Sequence, residues 1–176
     1  MLTTPLVHEL DARKASTRGI AVSGLVALAR LPRLADALAS RDGDIAVHIA
    51  FSRDEEGRFI AQVACQGLLS VLCQRCLEPM VIALDSCSTL AVVASDEQAK
   101  HLPKSLEPWL VEDEHADLWA MVEDEIILAL PFTAYHDETQ CKVQLVNDEP
   151  PADDAPEAER DNPFNVLEQL KSSDRD

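Results

Sequence analysis

Apolar and polar residues alternate over Ile45, Val47, Ile49 and Phe51 against Ala46, His48, Ala50 and Ser52. That two-residue period predicts a strand with one buried face. Phe59, Ala61, Val63 and Cys65 repeat it, and Asp54-Glu55-Glu56-Gly57 reads as the turn between, so the two runs predict a hairpin. His48 falls on the less apolar face, where it is more simply a surface or edge residue than a ligand. Gly67 interrupts the pattern, and Leu68 to Leu72 resumes it. Ile20 to Leu28 reads as an earlier strand. Beyond Pro79 a long β-branched run predicts one bent strand or two short ones over Val81 to Val93, with Cys65 and Cys87 as small core or edge residues.

Helical spacing appears twice at length. Leu31, Leu34, Ala35 and Leu38 predict a helix that starts at Pro32 and stops at Gly43. Leu118, Met121, Val122, Ile126 and Ala129 share one face of a main helix from about Asp117 to Leu130. Glu123, Asp124 and Glu125 fall mostly on its other face, most simply as a solvated acidic surface. They are sequence neighbours and do not converge as an acid/base pair would. Ser95 with Gln98 predicts a capped short helix that Pro103 stops. Trp109 to Val111 fits a strand, and Leu6 to Leu10 a short edge strand. Pro131 to Cys141 reads as an extended loop carrying His136 and Cys141.

The pattern fades after residue 146. Residues 147–161 hold seven acids, three prolines and no large apolar residue, which predicts a disordered acidic linker. Asn162-Pro163 then opens a short helix on which Phe164, Leu167 and Leu170 share a face, to dock on its own domain or to bind a partner. The expected architecture is α+β. One domain over 1–146 holds a strongly bent, mainly antiparallel, partly barrel-like sheet with one main packed helix. The linker 147–161 and the amphipathic segment 162–176 follow.

Composition adds limits. Hydrophobic residues make up 47% and aromatics 4%, so the core must be mostly aliphatic. No apolar run reaches the ~18 residues that a membrane helix needs. Met1 to Leu10 lacks the layout of a secretory signal. The expected place is the cytoplasm, where five cysteines do not form a disulfide frame. The net charge of −17 is uneven: residues 1–53 sum to +2, and residues 95–176, with 22 acids against six bases, to −16. The acidic half favours basic partners. Arg13, Lys14 and Arg18 are the densest basic group, most simply a solvated loop, with phosphate contact as the functional alternative.

One stretch carries candidate chemistry. Cys73 and Cys76 have zinc-knuckle spacing, since two thiolates three residues apart can reach one tetrahedral ion from a tight turn. His136 and Cys141 are the best remaining ligands and would complete a Cys₃His structural site. Two other readings stay open. One is a pair of reduced thiols in a turn. The other is a thiol–disulfide enzyme, which Pro79 and the strand-like run after it oppose. No Gly-rich phosphate loop, nucleophile elbow or His-Glu-x-x-His occurs, and His8, His101 and His115 are scattered. Nothing here points to an enzyme or a small-molecule substrate.

Cys73-Gln74-Arg75-Cys76-Leu77-Glu78-Pro79, then Val122 to Pro131, then His136, Cys141, Asn162-Pro163-Phe164 and Leu167 together resemble the YceD family, the large ribosomal RNA subunit accumulation proteins. The resemblance implies a non-enzymatic cytoplasmic role in accumulation of large-subunit ribosomal RNA and in subunit assembly, with no catalytic residues to carry over. Many relatives have Cys at the position of His136, which fits a metal loop with exchangeable ligands. Two modes follow. The domain binds ribosomal RNA, with Arg13, Lys14, Arg18 and Arg75 on phosphates, or its acidic half holds a basic ribosomal protein, with Phe164, Leu167 and Leu170 as an apolar anchor. The competing class is a thiol- or metal-handling protein built on Cys73 and Cys76.

Overall fold

The computed structural model describes residues 4–143. In chain order its elements are β1 Glu9–Leu10, α1 Ala12–Arg18, β2 Ala21–Ala27, β3 Asp44–Arg53, β4 Phe59–Leu72, β5 Pro79–Val93, α2 Asp96–Ala99, β6 Glu107–Leu110, β7 Ala116–Asp117 and α3 Leu118–Ala129. The acidic linker and the segment with Phe164, Leu167 and Leu170 lie outside the described residues. The fold is α+β. Its main sheet has the order β2-β3-β4-β5-β6, and it ends on β2 and β6 instead of closing into a barrel. Neighbours from β2 to β5 are antiparallel, and β6 joins β5 in parallel. β1 and β7 form a separate two-stranded pair.

The alternating pattern sets the buried face. Ile45, Val47, Ile49 and Phe51 of β3 are buried, and the register sets Val47 opposite Cys65 and Ile49 opposite Val63. α1 packs on β3 and β4, and α3 packs on β4 and β5. Leu118, Met121, Val122 and Ile126 point into this core, while Ala129 is exposed in the last turn with its neighbours Ile127 and Leu128.

Four local expectations change. Arg13, Lys14 and Arg18 lie on a helix, not in a loop. Asp11 caps α1 by accepting from the Lys14 N–H, and Gly19 ends it at φ 63°. Its buried stripe is Ala12, Ala15 and Ser16, too small to register as a hydrophobic period. The helix expected from Pro32 to Gly43 is instead a pair of 3-10 turns, Leu28–Arg30 and Leu34–Ala37. Leu28, Leu31 and Leu34 are all buried, and their three-residue spacing is the period of a 3-10 turn.

Gly67 does not break β4; its missing side chain leaves room for the Ile45 side chain, and the strand runs on. Glu123 and Glu125 are buried and not solvated. Glu123 accepts from Arg33 Nε at 2.8 Å and from the Leu34 N–H at 2.9 Å, so it caps the 3-10 turn from another element. Glu125 accepts from the Ser88 hydroxyl.

β4 and β5 outrun their neighbours. β3 pairs with β4 only as far as Gln66, and β6 meets β5 only from Leu90 onward. Residues 68–72 and 79–83 therefore leave the sheet as a two-stranded arm. The segment after the 3-10 turns braces it: the Ala39 N–H donates to Ser70 O at 2.7 Å, and Ser40 bridges to Ser70.

Candidate metal centre

The arm ends in a knuckle. Cys73 follows the last residue of β4, and Cys76 lies in the turn before β5. The Cys73 N–H donates to Glu78 O at 2.9 Å and the Leu77 N–H to Cys73 O at 2.8 Å, which closes the turn. Leu77 has a φ of 60°, a left-handed conformation unusual for a side chain of that size. Gly or Asn would relieve that strain at about 1 kcal/mol.

A second loop comes back from the end of α3 and lies against this turn. The Gln74 N–H donates to Ala134 O at 2.9 Å, and Lys142 pairs with Glu78 at 2.8 Å. Asp137 O accepts from the N–H groups of Gln140 and Cys141, and that turn presents the buried Cys141.

The two loops bring Cys73, Cys76, His136 and Cys141 together, with their ligand atoms all within 4.8 Å of one another. Cys76 Sγ lies 3.4 Å from His136 Nδ1. Around zinc, with Zn–S near 2.3 Å, tetrahedral donors would stand about 3.7 Å apart. The four donors are thus of the right type and number, and shifts of about 1 Å or less bring them onto an ion. With its proton on Nε2, His136 donates to Pro79 O at 3.3 Å and turns Nδ1 toward the sulfurs. A backbone acceptor of this kind commonly fixes the tautomer of a metal-binding histidine.

The electrostatics agree with the donor set. Burial works to raise the Cys73 thiol. The backbone N–H groups of Cys76, His136 and Arg75, with the Cys76 thiol, outweigh it and bring Cys73 down to about 5. Its thiolate is the form that a metal takes. The sulfurs of Cys73 and then Cys76, as acceptors for its ring N–H, raise His136 in turn, so a metal would have to displace that proton. Cys65 behaves in the opposite way: burial pushes its thiol up to about 11, and it stays an inert core residue. Cys87 is exposed on β5.

The basic residues are not gathered in one place. Arg13 donates to Val111 O at 2.9 Å, and Lys14 is paired with Asp11 and Glu114, both at 2.8 Å. Arg18 is exposed at the end of α1. Ser16 of α1 reaches Ile60 at the start of β4, whereas Arg75 follows its far end, roughly 40 Å away along the strand. Arg75 lies over the Tyr135 ring, 5.4 Å from its centroid, in the loop where Phe132 is 98% exposed. These aromatic residues were not singled out from the sequence, since only a folded loop shows that a lone Phe is left in water.

No helix among the described residues is long and apolar enough to cross a membrane. A family model described as "Large ribosomal RNA subunit accumulation protein YceD" matches residues 61–171, which include all four clustered donors. A relative from Haemophilus influenzae, named "Large ribosomal RNA subunit accumulation protein YceD", is 34% identical over 165 residues. That alignment covers 92% of this chain and 94% of the relative. No solved structure matches the chain. A family match over more than half of the chain, together with this relative, places it: the chain belongs to the YceD family.

Proposed function

We propose that this chain is a non-enzymatic cytoplasmic factor that supports accumulation of large-subunit ribosomal RNA by holding a basic ribosomal protein until RNA takes it over. The role follows the family name. The mode rests on one observation, the uneven charge: 12 acids against three bases over 95–143, the part of the described chain that builds β6, β7 and α3. A surface of that sign repels phosphates and attracts basic chains. Cys73, Cys76, His136 and Cys141 would hold one zinc ion. Its task is structural, joining two loops that carry little apolar packing of their own.

Affinity capture of the tagged chain from lysate, split into nuclease-treated and untreated halves, tests the mode. One basic ribosomal protein retained after nuclease treatment supports it. Loss of every ribosomal protein, with ribosomal RNA enriched in the untreated half, overturns it. A second reading, direct RNA contact at the knuckle, is favoured by Arg75 over Tyr135 and the exposed Phe132, since unpaired bases stack on such rings. Zinc content measured on the purified protein, with and without chelator, tests the metal.

A further inference from the structure

α3 packs on β4 and β5 and stands off β6. Two adjoining hollows of about 340 and 660 Å³ fill that gap, and both are lined by Pro108, Trp109, Met121 and Asp124. They make one groove along the last strand of the sheet. Its floor is apolar: Trp109 is half-buried, and Leu128 at one end is 74% exposed. Its rim holds Glu107, Glu112 and Asp113, which are exposed and take part in no ion pair among the described residues. No Lys or Arg among the described residues lines either hollow. The nearby cations already have partners: Arg33 with Glu123 and Asp124, Lys14 with Asp11 and Glu114, and Arg13 with Val111 O.

The walls add to the negative field. Glu125 lines the groove with one carboxylate oxygen on Ser88 and the other without a hydrogen bond among the described residues. Burial raises its pKa, and the charges of Glu107 and Asp124 raise it further. Among the described residues, like charges thus surround an apolar channel and no Lys or Arg stands on its rim.

We propose that the groove between β6 and α3 is the docking site for an extended basic segment of a partner protein. An apolar side chain of that segment would sit on the Trp109–Leu128 floor, and its Lys or Arg residues would reach Glu107, Glu112 and Asp113. Pro108 removes one edge donor from β6, so recognition runs through side chains and not through an added strand. The proposal rests on the holder reading above and names its surface.

The test is fluorescence anisotropy on the full-length chain. The probe is a labelled peptide of alternating Lys and Gly with one central Leu. Binding weakens about tenfold or more in the Glu107→Gln/Glu112→Gln/Asp113→Asn variant, as expected for removal of several rim charges. It stays near wild type in Glu55→Gln/Asp96→Asn/Glu97→Gln, which removes the same charge at exposed positions that line neither hollow. Leu128→Ser weakens the peptide with Leu but not the one with Ser in its place; Leu128 is exposed, so the variant folds. Equal losses from the two charge variants overturn the proposal, as does tight binding of a single-stranded RNA oligomer where the peptide fails to bind. Nuclease-treated capture separates the two readings. If the groove variant still retains a basic ribosomal protein, the groove is wrong and the holder reading stands. If the wild type retains none, the holder reading itself falls.

Discussion

The two halves of the β4–β5 ribbon are held by different means. In the half inside the sheet, β3 and β6 flank the pair, helices cover it, and Val63, Cys65, Leu90 and Ala91 are buried. In the arm, Leu69 and Val71 are buried on one face, but Leu68 and Val81 stand 66% and 65% exposed on the other. A two-stranded ribbon with one open face is marginal in water. What closes this one is the meeting of two loops at four donors. The contrast teaches that the half inside the sheet is held by flanking strands and hydrophobic burial, while the arm has one buried face and, at its tip, two loops that meet at four donors.

The largest expected effect breaks that contrast directly. In a Cys73→Ser/Cys76→Ser variant, or on chelation, amide exchange over residues 72–80 and 134–142 rises about a hundredfold or more, roughly 3 kcal/mol of local protection. β3 amides keep their wild-type rates. Exchange that rises equally in both halves would show the cluster to be part of one cooperative unit. Ile49→Ala sets the opposite case, with a loss of about 2–5 kcal/mol, read by urea unfolding and felt throughout the described domain.

Glu123→Ala comes next. It strips the buried Leu34 N–H of its acceptor and releases Arg33, for about 1–3 kcal/mol. Loss of m-value with no change in midpoint would point to a different role. Glu123→Gln should recover much of the loss, because its amide oxygen can still accept from Leu34.

Much of the sheet was legible because strands report themselves: the period over Ile45 to Phe51 and Phe59 to Cys65 admits only one buried face. The four donors were legible by residue type and by elimination, although their convergence needed the returning loop, which no local pattern encodes. Other features were hidden for physical reasons. α1 buries Ala and Ser, which carry almost no hydrophobic signal. The Leu28-Leu31-Leu34 spacing fits the first turns of an α-helix as well as 3-10 turns, and only the acceptor Glu123, about 90 residues away, favours the latter. Glu123 and Glu125 looked solvated because a charged residue is buried only where a partner waits, and Arg33 and Ser88 are distant in sequence. The groove beside β6 was invisible for a related reason: an acidic rim and an apolar floor come from separate segments.

The smallest effect concerns Glu125 and sharpens the comparison within α3. Glu123 has a cation and a buried N–H to answer its charge, whereas Glu125 has one hydroxyl and two acidic neighbours. Its folded pKa is raised, first by burial and then by Glu107 and Asp124, against a drop from the Ser88 hydrogen bond. A raised carboxyl contributes stability that is fully present below its unfolded pKa and is lost as pH rises through the folded value. Above the ordinary glutamate pKa, Glu125 therefore costs stability. Glu125→Gln keeps an acceptor for the Ser88 hydroxyl and removes the charge. Its melting temperature should exceed that of wild type at pH 7, with the margin shrinking as pH falls through the acid range and vanishing below the ordinary glutamate pKa. Comparing variant with wild type at each pH cancels the titration of the other carboxylates. A margin that stays constant with pH would mean that the substitution acts through packing against Ser88 and not through charge, and the groove wall would then carry less negative field than its residues imply.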